Sequence, residues 1–167
     1  DVKYVPYVCY VGTDGEKFYQ YTMLEEASRK RFIYAYKENS SHSTIDFVQR
    51  AIIFFGYAPE TIQTDHGGEF THTQKTNRIH PFDMLCNKLH ITHKVLRPRT
   101  PWHNGKVERS HRNDQERFYN HLSFYSYDDL QVQMKRYLYR SNNIPMSVLG
   151  WKTPNQKQYE LENMIYI

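Results

Sequence analysis

The sequence predicts an α/β domain: a mixed sheet, three antiparallel strands first and five strands in all, flanked by helices. Three observations predict it. The chain opens with consecutive β-forming runs separated by turn residues. Near residue 43 the apolar spacing changes from alternation to the three-and-four spacing of helices. After that point short strand-like and helix-like segments alternate, in the order β-β-β-α-β-α-β-α-α.

Val2, Tyr4, Val5, Val8, Tyr10 and Val11 form the first strand-like run, and Thr13-Asp14-Gly15 supplies a hairpin turn. Lys17 to Leu24 alternates as the second strand. Ser28-Arg29-Lys30 turns the chain into a third, Arg31 to Tyr36, with Phe32, Tyr34 and Tyr36 on one face. Hairpin pairing would put the first strand in the centre of the sheet. Ser43-Thr44-Ile45-Asp46 reads as a capping box, followed by Ile45, Val48, Ile52 and Phe55 at helical spacing and Gly56 as a terminal cap. Thr61 to Thr64 is a short strand with Asp65 at its carboxyl end. Residues 66–81 form a polar loop, long for a compact domain.

Phe82 to Leu89 reads as a short helix and Ile91 to Val95 as a strand. An Arg-Pro-Arg-Thr-Pro loop then leads into a charged helix that starts after Asn104-Gly105 and runs to about His121. Glu108, His111, Arg112 and Gln115 share one face of it. Ser126-Tyr127-Asp128-Asp129 is a second capping box, opening a helix that carries Leu130, Met134, Tyr137 and Leu138 and ends at Asn142-Asn143. From about residue 142 the tail is expected to be irregular, docked by Leu149 and Trp151.

At 167 residues with 39% hydrophobic content, the chain fits one domain, residues 1–167, with a real core. No apolar run approaches the roughly 20 residues of a membrane helix, and no signal-peptide pattern is present. Two cysteines, Cys9 and Cys86, are too few for a disulfide framework, so a reducing, cytoplasmic setting is expected. The charge is unevenly placed. Between Lys94 and Arg117, seven cations (Lys94, Arg97, Arg99, Lys106, Arg109, Arg112, Arg117) face three anions (Glu108, Asp114, Glu116), a surplus equal to the whole chain's +4. A local basic surplus of this kind suits a phosphate-binding face.

Asp65 ends a strand, Asp1 opens the first, and Glu108 begins a helix that must pack nearby. Carboxylates converging from such positions repel unless cations neutralise them. Oxygen ligands without a Cys or tight His cluster favour Mg²⁺ or Mn²⁺. Two such ions could activate a water or hydroxyl and stabilise the leaving oxygen of a phosphoryl displacement. Cys86, His90 and His93 have loose spacing for zinc and read as a buried Cys and two surface or packing His. Glu69, four residues after Asp65, reads as a loop-bracing carboxylate, and most of the 15 tyrosines sit at packing positions.

Several segments resemble one family. Asp65-His66-Gly67-Gly68-Glu69-Phe70 is similar to the D-N-G-x-E-F segment of the retroviral-integrase-like catalytic core. Pro101-Trp102-His103-Asn104-Gly105-Lys106-Val107-Glu108-Arg109-Ser110-His111-Arg112 resembles the third-acid helix of DDE transposases from bacterial insertion sequences. Asp1-Val2-Lys3-Tyr4 is similar to the first-strand segment, Glu26-Ala27-Ser28-Arg29 to a D-x-x-S-R turn, and Leu149-Gly150-Trp151-Lys152-Thr153-Pro154 to an L-G-x-x-T-P segment. Two departures stand out: His66 replaces an Asn, and residues 72–81 lengthen the interval between the second and third acids.

The resemblance implies a ribonuclease-H-like fold, cleavage of DNA at element ends and strand transfer into target DNA. It implies Asp1, Asp65 and Glu108 as catalytic metal ligands, with two Mg²⁺ (or Mn²⁺) ions per site. Asn104, Lys106, Arg109, Arg112, His103 and Arg99 are the candidate DNA contacts. The expected partners are DNA and further copies of the chain on DNA, with no membrane and with the end-recognition module outside this segment. The setting implied is a bacterial nucleoid. Two rival readings use the same acids: a ribonuclease-H-like nuclease without strand transfer, and an inactive DNA-binding or assembly module.

Overall fold

In a computed structural model, which describes residues 1–12, 15–96 and 105–164, the chain is an α/β fold. Three antiparallel strands come first: β1 (Val2–Tyr4), β2 (Tyr19–Leu24) and β3 (Arg31–Tyr36). They are followed by α1 (Ser41–Phe55), β4 (Thr61–Thr64), α2 (Pro81–Lys88), β5 (Thr92–Val95), α3 (Gly105–Arg117), α4 (Tyr127–Ser141) and α5 (Pro154–Met164).

The strands form two sheets rather than the single five-stranded sheet expected. One has the order β1-β2-β3, and the other is the parallel pair β4-β5. β2, not the first strand, is the middle strand. The first strand is also shorter than its β-forming residues predict. Pro6 (φ −58) leads into a 3-10 turn at Tyr7–Cys9, so the ladder stops with one further bond, Val5 N to Phe18 O at 2.9 Å. Three residues build only a short edge, and a cleft opens between it and β4.

The two faces of the three-stranded sheet carry different layers. Tyr21 and Phe32 pack against Phe47 of α1, and Tyr36 donates a hydrogen bond to Asp46 at 2.6 Å. On the other face Arg31 reaches α3 and α4, while Tyr127 and Gln131 of α4 both donate to the Ala35 carbonyl. The apolar core runs through both faces, from Phe18, Tyr21 and Ile33 to Phe124, Leu130 and Met134.

Helix ends follow side-chain chemistry, with one shift from expectation. α1 is capped by Ser40, whose hydroxyl accepts the Ser43 amide at 3.1 Å, so Ser43 lies inside the helix instead of capping it. Asp46 is thereby freed to pair with Arg50 and Tyr36. Gly56 closes α1 at φ 85, a conformation that suits a residue without Cβ. Ser126 caps α4 as the sequence predicts, accepting the Asp129 amide at 3.2 Å. The tail is ordered where irregularity was expected: a 3-10 turn at Ser147–Leu149 precedes α5, whose Pro154 and Gln158 are buried. Trp151 does not dock; it is 74% exposed, at φ 65.

No helix among the described residues is long and apolar enough to cross a membrane.

Candidate active site

The carboxyl end of β4 and the start of β1 border one cleft of about 740 Å³. Asp1 and Asp65 line it, with Thr22, Thr64, Lys94, Lys106 and Val107 around them. Asp1 is positioned by the β-ladder: its main-chain nitrogen donates to the Thr22 carbonyl at 3.0 Å, and the Thr22 amide returns a bond to the Asp1 carbonyl at 2.8 Å. Its Oδ1 accepts the Val2 amide at 2.8 Å. Asp65 is exposed, and its Oδ1 accepts the Gly67 amide at 3.0 Å, a turn that sets the carboxylate at the strand end.

Just before Asp65, Thr64 is buried and lies 2.8 Å from His93 Nε2. His93 Nδ1 is in turn 2.6 Å from Asp83 of α2. A hydroxyl, an imidazole and a carboxylate thus brace the end of β4 against β5 and α2. His93 is a packing and bracing group, its ring against Phe82. Cys86 itself is buried, and burial pushes its thiol up to about 11.

Glu108 is exposed in the first turn of α3, next in the chain to Lys106 and Val107, which line the cleft. Among the described residues no group of three or more His, Cys, Asp or Glu side chains is placed to hold a metal ion. The structure therefore brings Asp1 and Asp65 to one cleft, with the helix that carries Glu108 at its border. Lys106 pairs with Glu26 across the surface. Arg109 and Arg112 are exposed on α3. Arg99, His103 and Asn104 lie outside the described residues.

What holds α3 in place was not read from the sequence. Asp114, counted there among the anions of the basic stretch, is fully buried. It accepts from Arg31 Nη1 at 2.5 Å, Gln20 Nε2 at 2.8 Å and the Tyr137 hydroxyl at 2.9 Å. Gln20 also bonds Thr22 and receives the Tyr119 hydroxyl. Arg31 further donates to Ser110 and Ser141. His111 sits 3.3 Å from the Thr22 hydroxyl and 3.8 Å from Asp1 Oδ2, and burial lowers its pKa to about 4, so it packs as a neutral ring. One sequence signal was available: Gln20 and Thr22 put two polar groups on one face of a strand otherwise rich in aromatics, opposite Ser110 and Asp114 one helical turn apart.

Two models described as integrase core domain match the chain, over residues 2–101 and 89–154. A putative integrase from Spiroplasma virus SpV1-C74 is 29% identical over 136 residues, covering 76% of this chain and 38% of that protein. A retrovirus-related Pol polyprotein from a Nicotiana tabacum transposon is 29% identical over 100 residues, covering 59% of this chain and 7% of that one. The chain thus spans well under half the length of these relatives. Among solved structures, the HTLV-2 integrase catalytic core domain in complex with magnesium aligns at TM-score 0.68 and 21% identity, covering 95% of this chain and 92% of that one. The BIV integrase catalytic core aligns at TM-score 0.66 and 20% identity, covering 92% of each. At these identities the structural likeness establishes the fold.

Proposed function

Because this chain belongs to the integrase core domain family, we propose that it is the catalytic core of a metal-dependent DNA transposase or integrase, cutting at element ends and joining them to target DNA. One observation carries the reading: Asp1 and Asp65, remote in sequence, line the same cleft at the ends of their strands. Carboxylates drawn together in one site repel unless a cation sits between them. Their oxygens fit hard divalent ions, and we assign Asp1, Asp65 and Glu108 as the groups that would hold two Mg²⁺ or Mn²⁺. Such ions, when bound, would lower the pKa of an attacking water or hydroxyl and stabilise the leaving oxygen.

The chain's own groups supply position. The Gly67 amide and the ladder to Thr22 orient the two carboxylates before substrate arrives. The buried Arg31–Asp114 pair fixes the helix on which Glu108 rides. Lys106, Arg109 and Arg112, with Arg99, His103 and Asn104, are assigned to the DNA backbone, where cations set register more than sequence choice. The active form is proposed to be an oligomer on DNA.

Asp65→Asn and Glu108→Gln are each expected to abolish Mn²⁺-dependent nicking of duplex DNA while leaving the circular-dichroism spectrum and melting curve of the fold in place. Turnover retained by either variant removes that residue from the catalytic set. A joining assay with a pre-cut DNA end separates strand transfer from simple hydrolysis.

A further inference from the structure

A second pocket, of about 250 Å³, lies against the first turns of α3 and is lined by cations with no acidic residue among its walls. Arg29, Arg31, Lys106, Arg109 and Arg117 contribute to it, beside an apolar wall that includes Met146 and Val148. Two of the five are already neutralised, Arg31 by Asp114 and Lys106 by Glu26. Arg109 and Arg117 make no ion pair among the described residues, and Arg29 makes none within 4.0 Å, although it acts electrostatically on Glu26.

Arg29 is the informative member. Its backbone stands at φ 61, a left-handed conformation costly for a residue with a Cβ. The turn that imposes it is tightly made. The Glu25 carboxylate accepts the Ala27 and Ser28 amides, the Glu25 carbonyl accepts the Arg29 amide at 3.0 Å, and Ser28 is fully buried. The Arg29 side chain adds a second cost: its Nη1 is buried without a hydrogen-bond partner. Glycine would fit this turn without strain. An arginine held there, one guanidinium nitrogen unsatisfied, in a pocket whose walls also include Arg109 and Arg117, is arranged for an anion.

We propose that this pocket binds a phosphate group of nucleic acid, one phosphodiester with its sugar against the apolar wall, on the far side of the α3 first turn from the acidic cleft. Guanidinium forks match phosphate oxygens in pairs, which a surface lysine does not. Lys106 lines both the cleft and the pocket, so a strand lying over the cleft continues directly onto the pocket. The assignment rests on reading the chain as a DNA-acting core, and it adds an anchoring point away from the reacting phosphate.

The test is binding of a fluorescently labelled duplex by the full chain, without divalent metal, across a series of salt concentrations. The variants are Arg29→Gly, which relieves the backbone strain, and Arg117→Gln, which leaves the turn untouched. Each is expected to weaken binding about tenfold, to lower the slope of log affinity against log salt by about one, and to melt no earlier than the parent chain. Wild-type affinity and slope in both variants overturn the proposal. A parallel titration with inorganic phosphate, followed by the arginine side-chain NMR signals, separates the sources. A saturable response lost in Arg29→Gly while duplex binding is unchanged would assign the pocket to a free phosphate and overturn the nucleic-acid assignment. Because no metal is present, loss of binding in Arg29→Gly supports the pocket even if Asp65→Asn shows the nicking assignment to be wrong.

Discussion

At the scale of single residues, the most consequential side chain away from the cleft is Asp114. It is fully enclosed and compensates the only charge that reaches the same interior space from β3, Arg31, itself nearly buried. Replacing it by Asn keeps the shape but leaves a guanidinium buried without its counter-charge. Asp114→Asn is therefore expected to destabilise the fold by about 3–5 kcal/mol, read as a lower urea midpoint; a loss within the range of ordinary surface changes would mean that the pair is not sealed from water. His80 supplies a second prediction. Its Nδ1 accepts the Phe82 amide at 3.2 Å as the cap of α2, and its Nε2 lies 3.2 Å from the Gly68 carbonyl. The cap needs an unprotonated Nδ1, and burial lowers the His80 pKa from 6.5. A histidine held neutral in the fold binds fewer protons than in the unfolded chain, so its contribution is complete above pH 6.5 and is lost as pH falls below it. His80→Asn keeps a capping acceptor without the titration. Its urea stability is expected to fall less steeply than the parent's on acidification from neutral pH, and equal slopes would refute the assignment.

At the scale of elements, apolar spacing alone located most of what formed. β3 and β4 occupy the expected residues, α4 starts at its predicted cap, and α1 ends at its predicted glycine. The misplacements share a cause: local signals with two readings. Ser40 and Ser43 are both good caps, and the choice fell to Ser40 because its backbone is extended there and it bonds the Tyr21 hydroxyl of β2, a tertiary contact. Ser40→Ala is expected to cost about 1 kcal/mol, measured by chemical denaturation; if Ser43→Ala costs as much, its bond to the Ser40 hydroxyl carries equal weight. Likewise the β-formers after Tyr4 could not reveal that Pro6 would turn the chain into a 3-10 segment. The D-x-x-S-R resemblance located the turn before β3, and the carboxylate that closes it is that of Glu25, the motif's acidic position when counted back from Ser28-Arg29.

At the scale of the whole molecule, the two sheets meet at a cleft whose mouth holds Asp1 and Asp65, with α3 clamped beside it. A divalent ion that bound these carboxylates would bind the folded state alone, since the unfolded chain holds Asp1 and Asp65 far apart. Mn²⁺ at about a hundredfold excess over its Kd is expected to stabilise the domain by about 2.7 kcal/mol, a rise of roughly 5–10 °C in Tm for a chain of this size. Asp65→Asn should abolish the rise. An equal rise in that variant would show that the ion binds elsewhere.

The amino-acid order by itself determined the strand and helix types, the acids at the strand ends and the cluster of cations near Glu108, because periodicity, capping and local charge depend on neighbours a few residues apart. Only the tertiary structure decided that β2 takes the middle of its sheet, that the strands divide into two groups around a cleft, that Asp114 leaves the surface to hold Arg31, and that Arg29 faces a cation-lined pocket. Each of those outcomes depends on which distant groups meet and on how much water is excluded when they do, and neither is encoded in any short run of residues.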